Sequence, residues 1–347
     1  MIAEKPEMSL LIVKGSIIMK ISIRLFGWAL GFTALALTGA SAETAAMSIQ
    51  LVSTFDYPGT GNQTRPQKIN SAGDITGVYL DANGISHGFT RFANGTFSAP
   101  IDDPNSPTPF TEARGINDSR TVCGDYTDVN GAFEGFFLSH NHFTNYDPAT
   151  QFTIVLGINN AGDFCGSDIP DATGIQSGFV NIGGILTEFV VTNATATLAY
   201  QINTTNTSCG YYIDGAGATH GYYRDPDGTI HSRLDPQGST GTIVFGNNDR
   251  NYIVGRYADA AAVTHGFLLI PPRTYIFYDF PGATFTSLNG INKTNRICGR
   301  YTDASGFDHG IIAQLVRSAG SPVLPLASGP APVRVLPQNP ADANPAY

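Results

Sequence analysis

INKTNRICGRYTDASGFDHGI, residues 291–311, looks at first like a site, because Cys298, Asp303, Asp308 and His309 stand close together in it. Cys, Asp and His are the residues from which metal and catalytic centres are built. The rest of the chain changes that reading. INSAGDITGVYLDANGISHGF (69–89), INDSRTVCGDYTDVNGAFEGF (116–136), INNAGDFCGSDIPDATGIQSGF (158–179), INTTNTSCGYYIDGAGATHGY (202–222) and NNDRNYIVGRYADAAAVTHGF (247–267) are variations on the same paragraph. The repeated asparagines Asn70, Asn117, Asn159, Asn203, Asn248 and Asn292 are spaced by 47, 42, 44, 45 and 44 residues. A period of this length marks a repeat architecture.

Each unit divides into four short strand-like runs, PQKIN, DITGVYL, SHGFTRF and TFSAPI in the first. The turns between them have a legible chemistry. Asn70 to Gly73 and Asn159 to Gly162 carry Asn first and Gly fourth, the type I preference, and Asp81 to Gly84, Asp128 to Gly131, Asp214 to Gly217 and Asp303 to Gly306 do the same with Asp. Asn94-Gly95 and Asp227-Gly228 predict two-residue hairpin loops. Four antiparallel strands in about 45 residues make a β-propeller blade, so the chain is read as all-β, a six-bladed β-propeller. The sixth unit lacks its fourth strand after HGIIAQLV, and the early segment SIQLVSTFDYPGT (48–60) is a spare one. An N-terminal strand that completes the last blade closes the ring and removes its edges.

Three segments are expected. Residues 1–42 are an upstream stretch followed by a secretory signal with its start at Met19: Lys20 and Arg24, an apolar run from Leu25 to Leu37, then Ala40-Ser41-Ala42. Residues 43–317 are the propeller. Residues 318–347, a Pro-rich tail, are expected to be extended and disordered. The whole chain has a formal net charge of −9, and removal of residues 1–42, with four basic and two acidic residues, leaves −11. Such a chain repels nucleic acid and anionic lipid. Neither nucleic-acid binding nor membrane insertion after signal removal is expected; a secreted or periplasmic monomer is.

The units resemble the HAF repeats of bacterial extracellular proteins, with His87-Gly88-Phe89 and His265-Gly266-Phe267 where that motif has His-Ala-Phe. The resemblance covers roughly residues 50–315 and implies an exported, propeller-like repeat protein. It brings no catalytic residue with it.

The reactive letters are then read as architecture. Cys123, Cys165, Cys209 and Cys298 share one position, filled by Thr76 and Val254 in the other units. Small residues there predict a tight niche holding free thiols, since packed sheets stand about 10 Å apart and a disulfide needs Cα atoms within about 7 Å. His87, His220, His265 and His309 share another position, with Glu134 and Ser177 in the remaining units. A structural clasp is expected between each His and the Asp that starts its turn. One turn supplies one carboxylate, whereas calcium takes about six to eight oxygens, so neither metal nor cofactor is expected.

The functional expectation rests on charge. Strand alternation places the Asp turns and the connections between units on one face. That face is assigned Asp81, Asp128, Asp168, Asp171, Asp214, Asp259 and Asp303 as binding candidates, with Asp56, Asp103, Asp147, Asp235 and Asp279 beside them. The reading is an exported, non-catalytic binding or docking module that presents an acidic face to an envelope protein or glycan. The alternatives are an extracellular hydrolase or lyase, for which the extra residue near Asp168 to Asp171 is the best departure from the repeat, and a structural envelope or matrix component. A sugar-binding version would have to stack on tyrosines such as Tyr211 or Tyr223, because Trp28 leaves with the signal.

Overall fold

The computed structural model describes residues 9–14, 17–22, 47–59, 63–107, 110–148, 152–169 and 174–317. Two units are distinguished, Met1–Thr44 and Ala45–Tyr347. In the first, Ser9–Lys14 pairs antiparallel with Ile17–Ser22. The expected apolar signal run, its cleavage motif and the Pro-rich tail lie outside the described residues.

The second unit is a β-propeller. Blade 2 consists of Thr111–Ile116, Val122–Thr127, Phe133–Ser139 and His142–Tyr146. Blade 3 consists of Thr153–Ile158, Phe164–Asp168, Ser177–Ile182 and Ile185–Phe189. Blade 4 consists of Ala194–Ile202, Ser208–Asp214, Thr219–Arg224 and Ile230–Ser232. Blade 5 runs through Gly241–Asn247, Ile253–Ala258, Thr264–Ile270 and Thr274–Tyr278. In blade 1, Thr64–Ile69, Ile75–Leu80 and Ser86–Arg91 form a three-stranded sheet. Its fourth edge is reduced to two isolated bridges, Arg91 to Phe97 and Gly88 to Ile101.

Blade 6 closes the ring as the sequence predicts. Phe285–Ile291, Arg296–Thr302 and Asp308–Arg317 are completed by Met47–Phe55, which pairs antiparallel with the last of them from Gly310↔Phe55 to Arg317↔Met47. A single parallel pairing, Thr264↔Phe285, joins blades 5 and 6.

Every inner strand carries a bulge at the same place, at Gln67, Arg114, Leu156, Tyr200, Phe245 and Asn289. The bulge pushes a carbonyl towards the second strand, and this explains the repeated glycine there. A Cβ on Gly124, Gly166, Gly210 or Gly299 would lie within 2.1 Å of the carbonyl oxygen of Glu112, Ile154, Leu198 or Ser287. Real Cβ atoms do not approach so closely, so only glycine fits. The aromatic that follows in the third strand fills the space: Phe89, Phe136, Phe179 and Phe267 are fully buried, and Tyr222 does the same with its hydroxyl donating to the Leu198 carbonyl. Truncating one such ring to Ala costs about 3–5 kcal/mol in a packed core.

The turns differ from expectation in one class. At Asn94-Gly95 the bonds Phe92 N to Thr96 O and Gly95 N to Phe92 O define a three-residue loop with glycine at φ 92°. Asp225 to Thr229 repeats this loop. A two-residue type I′ loop needs positive φ at both positions, and it occurs instead at His140-Asn141 (φ 51° and 60°) and Gly183-Gly184 (φ 59° and 84°).

The asparagines do more than start turns. Each Oδ1 caps its own turn, as Asn292 does with the amides of Thr294 and Arg296. Each Nδ2 donates to the carbonyl of the asparagine in the next blade: Asn70 to Asn117, Asn117 to Asn159, Asn159 to Asn203, Asn203 to Asn248, Asn248 to Asn292, and Asn292 back to Asn70, at 2.9–3.2 Å. Six blades thus close one hydrogen-bonded ring.

Candidate functional site

The Asp turns and the blade connections share a face, because the histidines join them. In four blades the imidazole Nδ1 contacts a connection aspartate: His87 with Asp102 and His220 with Asp235 at 2.7 Å, His265 with Asp279 and His309 with Asp56 at 2.9 Å. Its Nε2 faces the turn aspartate. Only His220 and Asp214, at 3.1 Å, make a hydrogen bond, while His265–Asp259 and His309–Asp303 stand at 3.5 Å and His87–Asp81 at 3.9 Å. The expected clasp therefore has its tighter half elsewhere, on the connection rather than the turn. Each ring also lies against a tyrosine of the second strand, Tyr79, Tyr212, Tyr257 or Tyr301, with centroids 4.9–5.1 Å apart.

The turn carboxylates are held ionised. Backbone amides of Ile85, Ala132, Ala218, Val263 and Phe307 keep Asp81, Asp128, Asp214, Asp259 and Asp303 below the ordinary carboxylate range. Burial opposes protonation of His265, but Asp279 and Asp259 outweigh it and raise its pKa. In blade 2 the shared histidine position is taken by Glu134. There Glu134 pairs with the Tyr126 hydroxyl, which also accepts from Asn145 Nδ2 at 2.6 Å.

Two assignments to the acidic face need correction, and a third, Asp171, is untested. Asp168 takes the position of the stacking tyrosine in blade 3 and is buried there, 2% exposed, so it is not a surface group. Burial, and then the charge of Glu188, push its carboxyl up to about 7, and its Oδ1 is enclosed without a hydrogen-bond partner. Asp103 is also buried, and Asp102 is the residue that meets the histidine. Asp171 lies outside the described residues. Neither proposed sugar-stacking tyrosine offers an open ring: Tyr211 is tilted against Tyr200 at 5.6 Å, and Tyr223 is stacked on His231 at 4.3 Å.

The cysteine niche is as expected. All four thiols are free and buried. Sulfurs sit against inner-strand glycines: a Cβ on Gly115 would come within 2.6 Å of Cys123 Sγ, and one on Gly290 within 3.0 Å of Cys298 Sγ. Thr76 fits the same niche by donating its hydroxyl to the Phe89 carbonyl at 2.9 Å.

The opening cluster is thus resolved residue by residue. Cys298 fills a niche, Asp303 starts a turn and His309 bridges to a connection. Asp308 is architecture of another kind, neither a turn-starter nor a niche-filler. It is buried, and its Oδ2 takes both Arg65 Nε at 2.7 Å and Arg300 Nη1 at 2.6 Å. The signal was available: the residue before the His position is Ser86, Phe133, Gln176, Thr219 or Thr264 in the other units, so Asp308 breaks the repeat.

No protein family and no curated protein matches this sequence. Among solved structures, similar ones include the lectin of Aleuria aurantia, described as a six-bladed β-propeller with a fucose recognition mode. It has a TM-score of 0.47 and 10% identity, over 75% of this chain and 97% of the lectin. A virginiamycin B lyase from Staphylococcus aureus has a TM-score of 0.42 and 9% identity, over 77% of this chain and 99% of the lyase. A TolB from Acinetobacter baumannii has a TM-score of 0.44 and 10% identity, over 73% of this chain and 56% of TolB. The likeness is one of architecture and assigns no residue of this chain a role.

Proposed function

We propose that the chain is an exported binding module, of the HAF-repeat kind, that holds an envelope protein or a glycan on the face bearing the Asp turns and connections. One observation carries this reading: the same Asp–His–Asp arrangement recurs in four blades, with ionised turn carboxylates in five. Repetition suits several weak contacts to an extended or repeated partner, whereas catalysis needs one distinguished copy.

A catalytic reading has one feature in its favour, the buried Asp168 carboxyl of blade 3 with its raised pKa. A general acid needs substrate within hydrogen-bond reach. Among the described residues, no nucleophile or group of donors converges on Asp168.

The test is the triple variant Asp128→Asn, Asp214→Asn and Asp259→Asn. Each turn carboxylate accepts from amides two and four residues on through Oδ1, and an Asn oxygen can do the same. Three charges vanish while the turns stay. Binding to a partner recovered on a glycan array or from envelope extract should weaken in the variant. It should also weaken with salt, which screens exposed charges beyond about 8 Å at physiological ionic strength. Equal binding by a folded variant at low and high salt would place the partner elsewhere.

A further inference from the structure

The repeat is most regular at the turns and least regular along the axis. The residues after the second-strand glycine are Val78, Asp125, Ser167, Tyr211, Arg256 and Arg300, a different chemistry in almost every blade. Three of them, Val78, Arg256 and Arg300, line a cavity of about 190 Å³ together with inner-strand residues that include Arg65, Arg114, Glu112 and Tyr200. Four guanidinium groups thus meet inside a protein whose net charge is −9.

Three of the four are paired. Asp308 bridges Arg65 and Arg300, and Thr302 Oγ1 holds its other oxygen at 2.7 Å. Arg114 Nε meets Asp125 at 2.9 Å, and its Nη2 meets Glu112. Arg256 is the exception. Its guanidinium lies 5.2 Å from the ring centroids of both Phe245 and Phe285, and Arg300 shares the Phe285 ring at 4.7 Å. Among the described residues, none accepts a hydrogen bond from Arg256. A guanidinium cannot shed its charge in a protein, so this one sits in the cavity wall with its donors unspent. Burial lowers the pKa of both Arg256 and Arg300, a sign that positive charge here lacks sufficient compensation.

We propose that the axial cavity is a binding site for a small oxyanion, a carboxylate or phosphate group, taken by Arg256 with Arg300 beside it. A planar fork of N–H donors matches both groups in two-point geometry. The cavity far exceeds the roughly 10–15 Å³ that a single water needs, so it has room for such a group with part of its hydration. Tyr200, Phe245 and Val78 in the wall offer an apolar flank to an organic acid. This site is independent of whatever the acidic face binds.

The probes are sodium phosphate, sodium succinate and sodium chloride at matched ionic strength, titrated calorimetrically into the full chain. Saturable binding of phosphate or succinate at about one per chain, absent with chloride, is expected. Phosphate alone would indicate a phosphoryl group, and succinate alone an organic acid. Arg256→Gln should weaken binding roughly tenfold or more, as loss of a charge-assisted pair does. Arg250→Gln, a surface control, should leave it unchanged. If Arg256→Gln fails to fold by circular dichroism, Arg256→Lys keeps the charge without the fork and should bind more weakly than wild type. No saturable binding of either anion, or equal binding by the folded Arg256 variant, overturns the proposal.

Discussion

Asn292 and Asn70 are 222 residues apart in the chain and 2.9 Å apart in the fold, the Nδ2 of the first donating to the carbonyl of the second. This bond is the last of six and joins the final blade to the first. Asn292→Asp keeps the oxygen that caps the turn but removes the donor and buries a charge. It should cost about 1–3 kcal/mol, the penalty for a lost buried bond. Asn94, whose Oδ1 serves only its own loop, should tolerate Asn94→Asp with little change. Urea denaturation separates the two, and equal midpoints would mean that the ring is decorative.

Closure by the early strand makes a second prediction. Met47–Phe55 is the outer strand of blade 6, and Phe55 also lies against Gly310, where a Cβ would meet its ring within 2.8 Å. Deleting residues 43–60 should expose the edge of Asp308–Arg317 and uncover Ile312 and Leu315, leading to aggregation or a large loss of melting temperature. An unchanged melting temperature would show that the ring does not depend on this strand.

What the sequence revealed and what it hid follow from the same cause. Blade boundaries, the Asp turns and the thiol niche are local and recur from unit to unit, and the closing strand shows as the one fourth strand that the last unit lacks; repetition makes a weak signal readable. Asp168 was misplaced because it occupies a tyrosine position, and its burial follows from blade packing rather than from its neighbours in sequence. The asparagine ring was seen only as turns, since a side chain's second hydrogen bond to the next blade leaves no trace in a single unit. The arginine cavity was missed because its members come from different blades at positions where the units disagree. Averaging over repeats hides the places where they diverge.

The thiols offer a third prediction. Burial pushes Cys123, Cys209 and Cys298 up to about 12, and Cys165 well above its ordinary value. The folded protein should therefore be nearly inert to iodoacetamide at pH 8, and the unfolded, non-reduced protein should titrate four thiols. Cys298→Thr should be accommodated within about 1 kcal/mol, because Thr76 occupies the same niche. Cys298→Leu should cost about 1–3 kcal/mol by overpacking against Gly290. A mass-spectrometric disulfide between any two of the four would contradict the geometry.

Asp168 gives the last prediction, through pH. Its folded pKa, about 7, lies above the ordinary value near 3.9 for an unfolded aspartate. Below about pH 4 both states hold the proton, and Asp168 adds no pH dependence. Between about pH 4 and pH 7 the folded state binds more protons than the unfolded one, so unfolding free energy falls as pH rises. Above about pH 7 the penalty is complete, up to about 4 kcal/mol at 1.36 kcal/mol per unit. Asp168→Asn removes the ionisation and keeps the size. The difference in stability between variant and wild type should therefore grow in the variant's favour from pH 4 to pH 8, while contributions from the other carboxylates largely cancel in that difference. Urea denaturation of both proteins across this range measures it. A difference that stays constant with pH would mean that Asp168 ionises in the fold as it does in water, and that its enclosure in blade 3 is looser than its 2% exposure implies.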